Sequence, residues 1–254
     1  MGAAIQPCVF PVPVADPGTP FPDGATSVHL NTDGGSVHGL LCQPAQKSPG
    51  RKRIILYAHG NAEDLTRIGP SLQKMASTCE CDVFAIDYLG YGQSEGEPTE
   101  QGCYDSINAG YEYVKKRVGN PKEIIVFGRS IGTGPAVDLV SRHPEIGGLV
   151  LQSPMTSGVK WVLGQGTMGS VMACCLSRVN CFNSEDKIQR IDQPVLVMHG
   201  THDEVIPFHH GQKINDLAKN KTEPFWAPWR GHNNMPEDEC IEKLKFFIWF
   251  QVQA

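Results

Sequence analysis

The chain has 254 residues, 40% of them hydrophobic, which is enough to fill a substantial core. A net charge of −5 leaves no basic stripe, and this argues against nucleic acid as a partner. Nine cysteines, an odd number, with no export-type leader at the start, point to reduced thiols in a cytosolic setting rather than a disulfide scaffold.

Residues 7–24 carry six prolines and neither helical nor alternating periodicity, so residues 1–24 are expected to form an extended arm ahead of a single domain at 25–254. The opening Met1-Gly2 places Gln6 where the myristoylation pattern needs Ser or Thr, and an unacylated terminus is the expectation. Two short strands are expected at 27–30 and 37–42, joined through Asp33-Gly34 as a hairpin turn. From Arg53 onward the rhythm changes. Apolar runs at 54–57, 83–86, 124–127, 149–151 and 195–198 alternate with segments long enough for helices. In one of these, 100–118, Tyr104, Ile107, Tyr111 and Val114 recur at helical spacing. Continuous apolar strands alternating with helices predict an α/β fold: a mostly parallel central sheet covered by helices on both faces.

No stretch supplies the roughly 20 uninterrupted apolar residues of a membrane span. The run 246–250 (FFIWF) reads as the inner face of a closing helix. Cys79 and Cys81, and the adjacent Cys174 and Cys175, lack the paired C-x₂-C spacing of a zinc site and read as small buried hydrophobes. Residues 154–193 contain no convincing strand. A structureless stretch that long in a compact domain is uncommon, so a small cap is expected at about 155–190, at the carboxyl end of a strand. Its apolar residues Met155, Val159, Trp161, Val162 and Leu163 are the candidate lining of a substrate pocket.

The chemistry is carried by Gly128-Arg-Ser-Ile-Gly132 between the run 124–127 and a helix expected at 133–142. It has the G-x-S-x-G pattern of a strand-to-helix turn that exposes a nucleophilic serine, here Ser130. Such a serine needs a base, an acid that orients the base, and donors for an oxyanion. Asp203 follows the strand 195–198, and His232 follows the last expected strand, 225–227. This is the chain order Ser, Asp, His of the α/β-hydrolase arrangement. The oxyanion donors are expected to be the backbone N–H groups of Ile131 and Asn61, the latter in the loop after the strand at 54–57. Glu204 and Asp87 are alternative acids, with Asp87 better suited to a turn. His199 and His202 lie too close to Asp203 to reach another loop easily, and His209 and His210 read as surface. Three side chains and two backbone amides supply the whole machinery, so no cofactor and no metal are implied. A peptidase of the same fold and a catalytically silent binding fold remain open on this reading.

Several motifs together are more specific: AHGNAEDL at 58–65, DYLGYGQS at 87–94, GRSIGT at 128–133, SPMTSG at 153–158, HGTHDEVI at 199–206 and GHN at 231–233. From Arg53 to the C-terminus they resemble the α/β-hydrolase domain-containing protein 17 family. The resemblance implies an α/β-hydrolase fold with Ser130, Asp203 and His232 as a catalytic triad. It also implies an acyl thioester substrate, palmitate on cysteines of membrane-attached proteins, and peripheral association with membranes. The family's cysteine-rich acylated N-terminus is matched here only by Cys8, and the stretch 153–187 is longer and richer in Gly and Met.

Overall fold

The computed structural model describes residues 20–46, 52–158 and 181–252. Its strands are β1 (Thr26–Thr32), β2 (Gly35–Cys42), β3 (Ile54–Ala58), β4 (Asp82–Ile86), β5 (Ile124–Arg129), β6 (Gly148–Gln152), β7 (Val195–Gly200) and β8 (Phe225–Ala227). They form one sheet in the order β1-β2-β4-β3-β5-β6-β7-β8. β1 and β2 are antiparallel and close on Asp33-Gly34, as the turn residues predict. β2 also pairs antiparallel with β4. Every later pairing is parallel.

The helices are α1 (Leu65–Cys79), α2 (Glu100–Val118), α3 (Thr133–Arg142), α4 (Ser184–Ile188), α5 (Phe208–Leu217) and α6 (Glu237–Phe246). Alternation along each strand divides the core between the two faces. Ile55 and Tyr57 of β3 pack with Leu72 and Met75 of α1 and with Ile241 and Leu244 of α6. Ile54 and Leu56 pack instead with Ile107 and Tyr111 of α2 and with Val137 of α3. Local signals set the helix ends. The Asp64 carboxylate accepts the Thr66 and Arg67 amides at the start of α1, and Thr99 Oγ1 accepts the Gly102 amide at the start of α2. Lys115, Lys116 and Arg117 face the negative end of α2.

Chain direction creates the crevice. From β3 the chain leaves through α1 toward β4, and from its neighbour β5 it leaves through α3 toward β6, on the other face of the sheet. Where adjacent parallel strands part in this way, their carboxyl ends leave an open cleft. Far from that cleft, Arg53 Nη2 donates to Val252 O at 2.7 Å, tying the start of β3 to the end of the described chain.

Some expectations need correction. Only part of the run 246–250 faces inward. α6 ends at Phe246, and Phe247–Gln251 winds as a π turn that buries Phe247 and Ile248 but leaves Phe246 and Phe250 exposed and stacked. The change of pitch rotates the aromatics off the buried face. Residues 1–19 of the expected arm lie outside the described residues. Cys79 and Cys81 are buried thiols in the core under α1 and α6. Burial pushes the Cys42 thiol up to about 11 and that of Cys240 to about 12. No helix among the described residues is long and apolar enough to cross a membrane.

Asp87, just past β4, has the turn role expected of it and is also fully buried. Oδ2 lies 3.2 Å from His38 Nδ1 and Oδ1 lies 3.4 Å from His59 Nε2, while the Leu65 amide at the start of α1 donates to Oδ1 at 3.0 Å. Burial opposes charge on both Asp87 and His59. His38 and His59 together outweigh it at Asp87 and hold it below the usual carboxylate range, and the Asp87 carboxylate holds His59 above the usual histidine range. Removing one member of such a buried pair is costly. Asp87→Asn is expected to lower the unfolding free energy at neutral pH by about 3–5 kcal/mol in urea titration; a change below about 1 kcal/mol would mean that the cluster is not a joint of the fold.

Candidate active site

β5 ends at Arg129, and Ser130 turns the chain at once with φ +53° into a 3₁₀ turn, Ser130–Gly132, that runs straight into α3. A serine in the left-handed region is strained, and the surroundings must hold it there. Both flanking glycines explain how. A Cβ on Gly132 would sit 2.3 Å from Ala58 O, and one on Gly128 would sit 2.6 Å from Gly132 O. Because both obstacles are backbone, no side chain fits at either position. Thr133 Oγ1 then donates to Ser130 O at 2.6 Å and closes the turn.

The other two candidates come from the strands beyond β6. Asp203 lies in the turn after β7, where Oδ1 accepts the amides of Val205 (2.9 Å) and Ile206 (2.7 Å). Its Oδ2 lies 2.8 Å from His232 Nδ1, on the loop after β8. His232 Nε2 lies 2.9 Å from Ser130 Oγ. An ionised carboxylate only accepts, so Nδ1 carries the hydrogen and Nε2 is left to accept from the serine hydroxyl. Burial would raise the Asp203 carboxyl, but hydrogen bonds from His199, His232 and the Ile206 amide hold it below its ordinary range. Three residues predicted from separate loops therefore meet, all buried. Glu204 does not compete for the imidazole: its Oε2 accepts the His232 backbone amide at 3.3 Å.

Two further histidines have structural roles that the sequence did not reveal. His199 does not reach Ser130, yet its Nε2 lies 3.2 Å from Asp203 Oδ2 and 2.9 Å from Ile206 O. Two acceptors around one nitrogen mean that it donates, so His199 supports the acid. Its position near the end of the fully buried β7 was the available signal. His210, expected at the surface, is buried on α5. Its Nδ1 accepts the Thr156 amide at 3.3 Å and lies 2.9 Å from Thr156 Oγ1. It pins the loop after β6 beneath the site.

A cavity of about 470 Å³ opens onto Ser130 and His232. Its wall includes Asn61, Ile131, Met155, Phe182, Val205 and Ile206. Both residues expected to supply oxyanion donors thus line the same cavity as Ser130, and Tyr91 Oη donates to Asn61 Oδ1 at 2.7 Å, fixing that side chain. Met155 lines the cavity as expected; Val159, Trp161, Val162 and Leu163 lie outside the described residues. Phe182, at the far end of the expected cap, was not singled out in the sequence.

A family model described as Hydrolase_4, Serine aminopeptidase, S33 matches residues 49–181. The chain is 40% identical over 217 residues to the alpha/beta hydrolase domain-containing protein aho-3 of Caenorhabditis elegans, covering 85% of this chain and 63% of that protein. It therefore spans less than two thirds of the worm protein's length. Identity to the alpha/beta hydrolase domain-containing protein 17B of Homo sapiens is 36% over 211 residues, covering 82% of this chain and 70% of the human one. Among solved structures, Est1E from Butyrivibrio proteoclasticus superposes with a TM-score of 0.71 at 18% identity, covering 89% of this chain and 98% of that one. The Pyrococcus furiosus esterase Pf2001 gives 0.71 at 19%, covering 93% and 98%. These two share the fold.

The depressed Asp203 has a consequence for acid stability. Its ionised form contributes stability that is fully present above the unfolded value of about 3.9 and is lost as pH falls through the lower folded value. Unfolding free energies measured from about pH 6 down to about pH 2 should fall more steeply for the native protein than for Asp203→Asn. Parallel curves would show that the carboxylate is not held ionised by its two histidines.

Proposed function

The chain belongs to the α/β-hydrolase domain-containing protein 17 family, and from that premise we propose that it is a serine hydrolase cleaving acyl esters or thioesters through an acyl-serine intermediate. The observation that carries this reading is the unbroken hydrogen-bonded line from Ser130 Oγ through His232 to Asp203 Oδ2. In the first half-reaction Ser130 Oγ attacks the acyl carbon and its proton passes to His232 Nε2. Asp203 stabilises the resulting imidazolium. The tetrahedral oxyanion takes hydrogen bonds from the Ile131 and Asn61 amides. As the intermediate collapses, His232 returns the proton to the departing alcohol or thiol, leaving the acyl group on Ser130. Water repeats the sequence in the second half-reaction and releases the acid. No cofactor enters either step.

Ile131, Met155, Phe182, Val205 and Ile206 make the cavity wall apolar, which suits an acyl chain better than a charged group. Methionine adapts to flexible chains. Each buried methylene can contribute up to ~0.8 kcal/mol, so preference should rise with chain length until the cavity is full. Palmitoyl-cysteine on a membrane-attached protein is the substrate we propose, met by a chain associated peripherally with the membrane. A second reading, a peptidase, draws on the description of the matching family model. An aminopeptidase needs a carboxylate for the substrate's ammonium group. Glu63, the carboxylate on this cavity wall among the described residues, is already neutralised by Arg129.

Ser130→Ala should fold and lose turnover on the order of 10⁶-fold, and a fluorophosphonate probe should label Ser130 alone. Appreciable residual turnover, or an adduct on another serine, would overturn the assignment. Asp203→Asn should cost on the order of 10⁴-fold, far more than Glu204→Gln. Across p-nitrophenyl and thioester substrates, kcat/KM is expected to climb from acetyl toward medium and long acyl groups. A steady decline beyond butyryl, or faster release from dipeptide amides, would favour a small-acyl esterase or the peptidase.

A further inference from the structure

Arg129, the residue before Ser130, sends its guanidinium across the front of the site. One arm, Nη1, donates to Glu63 Oε1. The other, Nη2, donates to Asn233 Oδ1 at 3.3 Å. Glu63 uses its second oxygen to accept the Gly60 amide at 2.8 Å. One continuous polar chain therefore runs from Gly60, beside Asn61, through Glu63 and Arg129 to Asn233, beside His232. It joins the loops that carry Asn61, Ser130 and His232, and Gly60, Arg129 and Asn233 are each the immediate neighbour of one of those residues.

Two further observations show that this chain is built in. A Cβ on Gly60 would lie 2.9 Å from Glu63 Oε2 and 3.0 Å from Arg129 Nη1, so the ion pair lies directly against the backbone of the loop before Asn61. Behind the site is a second cavity of about 240 Å³, and Glu63, Arg129, His232 and Asn233 line both spaces. These four residues form a wall shared by the two spaces, and the hydrogen bonds within it help to set its position.

We infer that Arg129 is a positioning residue that, through Glu63 and Asn233, fixes the distances among the Asn61 amide, Ser130 Oγ and His232. This rests on the acyl-serine reading above. Arg is suited to the task because its planar fork holds two partners in fixed directions, where Lys offers a single point charge.

The experiment compares Arg129→Met, Arg129→Lys, Glu63→Gln, the Glu63→Gln/Arg129→Met double variant and Ser130→Ala, using p-nitrophenyl acetate turnover, fluorophosphonate labelling rate and thermal unfolding. Active enzyme is counted by probe titration, so partial unfolding does not masquerade as lost turnover. Arg129→Met should lower kcat per active site on the order of 10- to 100-fold and slow labelling in step, since both reactions place negative charge at the same amides. KM should stay within about 2-fold, because the acetyl group gains little from the link in the ground state. Arg129→Lys should recover part of the loss. The double variant should be no worse than Arg129→Met, because both changes break one chain. If Arg129→Met does not fold, Arg129→Lys and Glu63→Gln carry the same test. Normal kcat per active site in these variants, with only the melting temperature lowered, would overturn the inference, as would simple additivity in the double variant. In both cases an inactive Ser130→Ala would leave the acyl-serine reading standing. An active Ser130→Ala would instead remove that reading, and the inference with it.

Discussion

The turn that carries Ser130 is pressed so closely under the end of β3 that a methyl group on Gly132 would come within 2.3 Å of Ala58 O. That approach brings the loop after β3, with Asn61, to the same cavity as Ser130. It also holds Ser130 at positive φ, since relaxing the turn would push α3 into β3. The parallel register, with Ala58 opposite Gly128, brings the two strand ends level. Successive parallel pairings from β5 to β8 then deliver Asp203 and His232 to the same edge of the sheet. Shared backbone positions bring these groups to one edge of the sheet, and polar contacts between the loops set their spacing there.

Two buried carboxylates organise the polar interior, and their likeness is instructive. Asp87 lies between His38 and His59, and Asp203 lies between His199 and His232. In each case burial works against the charge and a pair of imidazoles reverses the outcome. They differ in where the second face of the histidine points. His59 turns its Nδ1 back onto the Gly60 carbonyl at 2.7 Å, so that ring is spent on structure. His232 turns its far nitrogen to Ser130 at the cavity. The same local device serves as a joint in one place and, on the proposed reading, as a proton acceptor in the other.

Much of this was legible in the sequence because it is periodic or local. Fully buried parallel strands leave apolar runs, helix ends leave capping residues, and a nucleophile turn needs glycines that few other structures require. Ser130, Asp203 and His232 follow from order and strand context. What escaped depends on contacts across the fold. His199 was set aside for its nearness to Asp203, yet that nearness is how it supports the carboxylate. His210 resembles its exposed neighbour His209 in every local respect and differs only in facing Thr156 from α5. The outward aromatics at Phe246 and Phe250 could not be told from Phe247 and Ile248, because a π turn shifts the rotation without leaving a mark in composition. The Arg129 link was invisible too, since it joins residues 66 and 104 positions apart.

The tie between Arg53 and Val252 bears on how the protein is made. It spans 199 positions, and the Ser130–His232 contact spans 102. Non-local contacts reward the chain only after long loops have closed. As the polypeptide emerges from its N-terminal side, β1 to β6 and the turn at Ser130 can form while β7, β8 and α6 are still missing. During that interval the edge of β6 is unpaired, and the face of β3 that α6 covers is open. On the proposed serine-hydrolase reading, Ser130 is thus in place before His232, the imidazole that would accept its proton, has emerged.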